Sequence, residues 1–386
     1  KKDLMYPISL GLHCKKCEFK DDLDVSKSGY FKCWNHIFPE FTIDEPHVFD
    51  IWNYRKSQAV IDSNLYKMKD VYSSDFVNTL NDRQYLQVDK RVNQSIDEDI
   101  KSELFNEIQK WEFPLHFIDF ETCMIAIPFH KNRTPYEQIA FQFSCHTLYK
   151  DGKIEHHEWI EKDANNFPNY EFVKALKKIL DNDNGNIFRY SPHENTVLLQ
   201  IKSQMIADDE SKHKELIDWI DTITYRKDID NPKNKIEGPR NMIDLWQYVK
   251  RYYYHPAMGG SNSLKYVLPS IFSTSEFIKN KYSKELAFGT NLKNTILWKI
   301  DKNNTIYSPY QLLENKYKKE NINKDESYFL DEKIEDGSAA MLAYSKLQFT
   351  DMIDKEREIL TSALLQYCEL DTLAMLMIYE HWTSLK

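Results

Sequence analysis

Pro114-Leu115-His116-Phe117-Ile118-Asp119-Phe120-Glu121-Thr122 is the stretch on which the reading of this chain turns. It is apolar almost throughout, the pattern of a strand covered on both faces. Two acids interrupt it near its end. Strand side chains alternate faces, so Asp119 and Glu121 point the same way and converge on one spot. Burying two carboxylates is costly unless a cation pairs them, and a divalent metal resolves that cost. If the strand ends there instead, both acids are simply solvated.

Working outward, Ile139 to Tyr149 alternates as a second strand. Lys150-Asp151-Gly152-Lys153 is a hairpin turn, because Asp-Gly tolerates the positive φ that such turns demand. Ile154 to Ile160 returns as a third strand, Tyr170 to Asp181 has helical periodicity, and Asn186 to Tyr190 makes a fourth strand. A helix opens at Pro192, and the remainder is mostly helical, strongest over Asn241 to Tyr254 and Ser362 to Leu385. Three antiparallel strands, a helix, a strand and then helices predict an α/β fold: a ribonuclease H-like mixed sheet flanked by helices. Residues 289–332, rich in Lys and Asn, read as an insertion.

Upstream of residue 112 the texture differs. Residues 1–45 form a small Cys-bearing piece, and residues 46–111 a helical linker region with its clearest helix between Asp97 and Gln109. The 386 residues have room for two or three domains at roughly 150 each. Hydrophobic residues at 41% and aromatics at 14% exclude a mainly disordered chain. No apolar run approaches the ~18 residues of a membrane span. The formal net charge of −9 speaks against a broad basic nucleic-acid surface but suits clustered carboxylates. Lys1 in place of Met suggests a fragment or processed chain.

There are six cysteines. Cys123, Cys145 and Cys368 are isolated and read as small buried hydrophobes. Cys14-Lys15-Lys16-Cys17 and Cys33-Trp34-Asn35-His36 offer Cys14, Cys17, Cys33 and His36 at zinc-like spacing. Three ordinary reduced thiols are the alternative. Nothing indicates a disulfide scaffold, which points to the cytoplasm.

Tyr367-Cys368-Glu369-Leu370-Asp371 sits in a largely apolar helix, with Tyr367 and Asp371 on one face. Alone, the pair reads equally well as a hydrogen bond within the core. Ser191-Pro192-His193-Glu194 fits a helix start in which Glu194 closes a capping box on Ser191.

With these motifs together the chain resembles the DEDD, or DnaQ-like, exonuclease superfamily, in the variant with Tyr in its third motif. The carriers are Phe117-Ile118-Asp119-Phe120-Glu121-Thr122, Phe188-Arg189-Tyr190-Ser191-Pro192-His193-Glu194 and Tyr367-Cys368-Glu369-Leu370-Asp371-Thr372, over about residues 112–383 of a domain spanning 112–386. Pro135 to Ser144 and Gly260 to Pro269 are similar to an uncharacterised bacterial branch, often fused to a RecB-like nuclease domain with a cysteine cluster. That likeness would make Cys14 and Cys17 the tail of an iron–sulfur site, leaving zinc and iron–sulfur both open.

The resemblance implies 3′→5′ hydrolysis of DNA or RNA by two Mg²⁺ or Mn²⁺ ions. Asp119, Glu121 and Asp371 would be ligands, and Tyr367 would orient the attacking water. The second motif normally carries Asp; strand-to-helix placement puts Glu194 there, with Asp244 the second choice. Lys265, Arg189 and Lys131 are candidate phosphate contacts, the alternative being ordinary surface charges, and Tyr252-Tyr253-Tyr254 offers either a base-stacking face or core packing. A Glu in the second motif and the acidic surface also allow a catalytically weak nuclease-fold module that binds nucleic acid or a protein.

Overall fold

The computed structural model describes residues 8–21, 24–39, 41–42, 45–164, 166–302, 306–313, 334, 337–349 and 352–385. Its chain divides into two compact units, one of residues 1–100 with 253–262, the other of residues 101–252 with 263–386.

The second unit is built on a mixed five-stranded sheet. In chain order its strands are β1 (Leu115–Cys123), β2 (Ile139–Leu148), β3 (Ile154–Ile160), β4 (Ile187–Arg189) and β5 (Ile243–Asp244). Their spatial order is β3-β2-β1-β4-β5. β1, β2 and β3 are antiparallel neighbours, whereas β4 and β5 run parallel to β1. This is the ribonuclease H-like arrangement expected. The β2–β3 turn forms as predicted, with Gly152 at φ 86°.

Alternation along β1 divides the structure into layers. Ile118 and Phe120 face a core shared with α1 (Asn169–Leu180) and α2 (His193–Ile223). α1 buries Phe172, Val173, Leu176 and Leu180, and the first turns of α2 bury Val197, Leu198, Ile201 and Met205. Both sets follow the same i, i+1, i+4, i+8 spacing, one apolar stripe on each helix. α2 is broken at Asp209, whose φ/ψ is not helical. The opposite face of β1, with Phe117, Asp119, Glu121 and Cys123, lies under α6 (Asp354–Ser384), preceded in the chain by α3 (Leu245–Tyr252), α4 (Leu264–Thr274) and α5 (Gly337–Phe349). From Leu364 to Trp382 α6 is almost wholly buried, which explains its near-continuous apolar sequence.

Several boundaries differ from expectation. The helix foreseen from Asn241 to Tyr254 begins only at Leu245, because Ile243 and Asp244 pair in parallel with Phe188 and Arg189. Tyr253 and Tyr254 leave that helix to pair with Ile100 and Asp99 and are 1% exposed, so they offer no stacking face. The helix placed between Asp97 and Gln109 covers only Glu103–Ile108. Residues 303–305 and 314–332 of the expected insertion lie outside the described residues.

The first unit also departs from the expected division at residue 45. One apolar cluster draws on Leu10, Cys14, Tyr30, Trp34 and Phe41 as well as Val48, Ile51, Val60, Val71 and Val88. At its centre Trp34 stacks on His47 at 4.8 Å and on Phe41 at 5.0 Å. The expected Cys-bearing piece and helical linker therefore share one core.

Phe172 meets Phe120 edge-on at 4.8 Å, Phe143 at 5.3 Å and Trp159 at 5.9 Å, with no exposure. Phe172→Ala removes a helix-to-sheet anchor and should cost about 3–5 kcal/mol, read as a lower urea midpoint. A loss below about 1 kcal/mol would contradict this packing.

Candidate functional site

The acids of β1 lie where its neighbours run out. β4 pairs with β1 only at His116 and Phe117, so Asp119 and Glu121 extend past the carboxyl end of β4, where the chain turns into α2. Such carboxyl ends are where open α/β sheets bind ligands. On the β2 side the register skips Phe141 just after the Glu121–Gln142 pair, a bulge that re-aims side chains at the end of the acidic pair.

Four sequence-predicted acids converge here. Asp119 comes from β1, partly exposed, and Glu121 follows at 6% exposure; Glu194 opens α2 at 1%, and Asp371 descends from α6 at 8%. Ligand atoms of Asp119, Glu121 and Cys368 lie within 4.8 Å of one another. Burial, reinforced by the charges of Asp371, Glu121 and Glu194, pushes the Asp119 carboxyl well above its usual range. Burial likewise raises Asp371 to about 6 and Glu194 to about 8. Glu194 feels Arg189 favourably and Asp244 and Asp371 unfavourably.

The capping box on Ser191 does not form. α2 starts at His193, and the Ser191 backbone N–H donates to Asp244 Oδ1 at 3.1 Å, with Ser191 at φ 104°. Glu194 is thereby released from capping, and its Oε2 has no hydrogen-bond partner among the described residues. A buried, unpartnered carboxylate oxygen among three further acids is the donor set of a hard divalent cation. Asp244, the second-choice ligand, is otherwise engaged: besides Ser191 it holds Arg189 Nη1 at 3.2 Å. Arg189, expected to meet phosphate, is 3% exposed and also donates to the Ser191 carbonyl. Together the two residues brace the strand-to-helix turn that presents Glu194.

Tyr367, 4% exposed, lies on the Asp371 face of α6, and burial next to Asp371, Glu121 and Asp119 drives its phenol up. Lys265 on α4 places its ammonium 5.4 Å from the Tyr367 ring centroid, and its charge favours ionised Asp371.

Two participants escaped the sequence reading. Tyr310, on the short helix Pro309–Leu312, is buried and donates its hydroxyl to Asp371 Oδ1. Ser308-Pro309, a helix-start signal closed by Gln311, was the available clue. Cys368, read as a small hydrophobe, lies with its sulfur 3.7 Å from Asp119 Oδ2.

The N-terminal cysteines behave differently. Cys14 is buried, Cys17 and Cys33 are half-buried against the Trp34 cluster, and His36 is exposed. Burial, with the neighbouring Cys17 and Cys33, pushes the Cys14 thiol up. The groups of three ligand atoms that meet within 4.8 Å among the described residues do not include them.

The acid cluster sets a pH signature. A carboxyl whose pKa is higher folded than unfolded makes the native state bind the extra proton. Stability then falls as pH rises from the ordinary carboxylate range near 4 through about 6 for Asp371 and about 8 for Glu194. In chelator, Asp119→Asn should melt above the parent near pH 8, the gap closing towards pH 5. A variant that melts below the parent near pH 8 would contradict the clustering.

A family model described as a domain of unknown function (DUF2779) matches residues 116–263. That span holds Asp119, Glu121, Glu194 and Asp244 and stops short of Tyr310, Tyr367 and Asp371. Neither a curated protein nor a solved structure matches the chain. Among the described residues no helix is long and apolar enough to cross a membrane.

Proposed function

We propose that this chain is a metal-dependent 3′→5′ exonuclease of the DEDD type, acting on DNA or RNA. One observation carries the reading: Asp119, Glu121, Glu194 and Asp371, from the end of one strand and two helices, share one largely buried spot with Tyr367. Like charges brought together at that depth raise one another's pKa and weaken the apo fold. Such an arrangement is expected where a cation fills the site in use. The DEDD class and the 3′→5′ direction rest on the likeness of the three motifs.

The four acids would hold two Mg²⁺ or Mn²⁺ ions. Bound there, the ions would activate water and neutralise charge on the leaving oxygen of a phosphodiester. The rest falls to the chain itself. The Tyr367 hydroxyl, beside Asp371, would orient the attacking water. The Lys265 ammonium, over the Tyr367 ring, would meet a phosphate oxygen. Tyr310 would hold the Asp371 carboxylate in one orientation through its hydroxyl. Arg189 and Asp244 act as positioning residues for the turn before Glu194.

The Tyr310 hydrogen bond also favours a second reading. A carboxylate engaged by the chain's own phenol suits a nuclease-fold module that binds nucleic acid or a protein with weak catalysis.

End-labelled DNA and RNA oligonucleotides incubated with Mg²⁺ or Mn²⁺ separate the two. Stepwise shortening from the 3′ end is expected, lost about a hundredfold or more in Asp119→Asn and Asp371→Asn. Glu194→Gln should fall similarly, because the amide keeps shape and loses the charge. Near-parental cleavage by Glu194→Gln would remove it from the ligand set. Binding without cleavage, under either metal, would favour the module.

A further inference from the structure

Two positions along a helix are about 200° apart, so Glu369 points away from the Asp371 face of α6. It meets a second set of polar groups on β3. His156 and Glu158 are i, i+2 neighbours on that strand and share a face. Ligand atoms of His156, Glu158 and Glu369 all lie within 4.8 Å of one another, with His156 Nδ1 3.8 Å from Glu369 Oε2. The side chains of His156 and Glu369 are 1% and 0% exposed.

The imidazole is oriented as a ligand would be. Its Nε2 lies 2.9 Å from Ser144 Oγ, which in turn lies 2.8 Å from Thr372 Oγ1. With the proton on Nε2, the Nδ1 lone pair accepts from the Thr290 hydroxyl at 2.8 Å, and Glu369 Oε2 lies 3.8 Å away; an ion held by Nδ1 and the two carboxylates would displace that hydroxyl. Metal-ligating histidines are held in this way, their other ring nitrogen tied to a neighbouring acceptor. His146 extends the network: its Nδ1 lies 2.8 Å from Thr372 Oγ1 and its ring 4.7 Å from that of His156. The buried His146 Nε2 has no hydrogen-bond partner among the described residues.

Between the acids sits an amide. Asn291 Nδ2 donates to Glu158 Oε2 at 2.5 Å and to Glu369 Oε2 at 3.0 Å. Glu369 also accepts the backbone N–H groups of Thr290 at 3.0 Å and Asn291 at 2.7 Å. The loop comes so close that a Cβ on Gly289 would lie 2.3 Å from Glu369 Oε1. Rotating the carboxamide would present Asn291 Oδ1 instead of its N–H₂ group, adding an oxygen to one nitrogen and two carboxylates. A cleft of about 580 Å³ lined by His156, Glu158 and Thr290 gives an ion a way in.

We propose that His156, Glu158 and Glu369, with Asn291 Oδ1 as a fourth donor, form a structural site for one divalent transition-metal ion, Zn²⁺ or Mn²⁺, on the face of α6 opposite Asp371. One imidazole with oxygen donors suits these ions. The ion would clamp residues 289–291 to β3 and α6. The site stands apart from the proposed nuclease centre and does not depend on that reading.

Equilibrium dialysis with Zn²⁺ and with Mn²⁺ tests it in the Asp119→Asn background, where the acid cluster is weakened. One equivalent should remain bound, and adding Glu158→Gln or His156→Gln should weaken that equivalent by about a hundredfold. Unchanged affinity in both double variants overturns the site. Should these variants fail to fold in chelator, X-ray absorption of Zn²⁺-loaded Asp119→Asn decides. One imidazole nitrogen with oxygen neighbours supports the site; sulfur neighbours place the metal on Cys14, Cys17 and Cys33 and overturn it.

Discussion

The docking of α6 across the sheet is the constraint on which the rest depends. Apolar packing supplies most of the attraction but fixes neither rotation nor register, since a helix apolar all round slides and turns at little cost. Polar pairs supply the register. Gln142 Nε2 donates to the Leu364 carbonyl at 2.9 Å, while Ser144 Oγ and His146 Nδ1 each lie 2.8 Å from Thr372 Oγ1. Buried polar groups must find partners, so any turn of the helix about its axis would take from all three side chains of β2 their partners on the helix. With the rotation set, Tyr367 and Asp371 face the acids of β1, and Glu369 faces His156 and Glu158.

That same packing imposes an electrostatic cost on both sides of α6. On one side four carboxylates share a largely dry spot; on the other, two carboxylates and an imidazole meet around a single amide. Stability alone would remove such groups, and proteins that depart from local rules usually do so at sites of use. The chain offsets part of the cost with its own donors. Tyr310 donates to Asp371 and Arg189 lies beside Glu194, while on the far side two backbone N–H groups serve Glu369. Glu194 Oε2 is left over.

Much of this was legible in advance because it rests on local periodicity. Strands β1 to β3, the Asp-Gly turn, α1 and the acidic pair on one face of β1 follow from alternation and turn chemistry over ten or so residues. The boundaries that failed share a cause. Ile243-Asp244 and Tyr253-Tyr254 look helical in sequence, yet each pairs with a distant strand, and a long-range ladder overrides a weak local preference. Glu194 was the ambiguous case: its spacing from Ser191 suits a cap as well as a ligand. Only the position of Asp244, more than fifty residues away in sequence, takes the Ser191 N–H and so excludes the cap.

The sequence by itself determined the layers of the sheet-bearing unit, the pairing of Asp119 with Glu121, and the helical face joining Tyr367 to Asp371, because strand and helix periods are local geometry. Tertiary structure decided which distant groups meet: Glu194 rather than Asp244 at the acids, Arg189 as a brace, Tyr310 on Asp371, and Glu369 turned towards His156. Those outcomes depend on how a buried helix is rotated against a sheet. That rotation is set by hydrogen bonds between residues some 220 positions apart, a quantity no local pattern encodes.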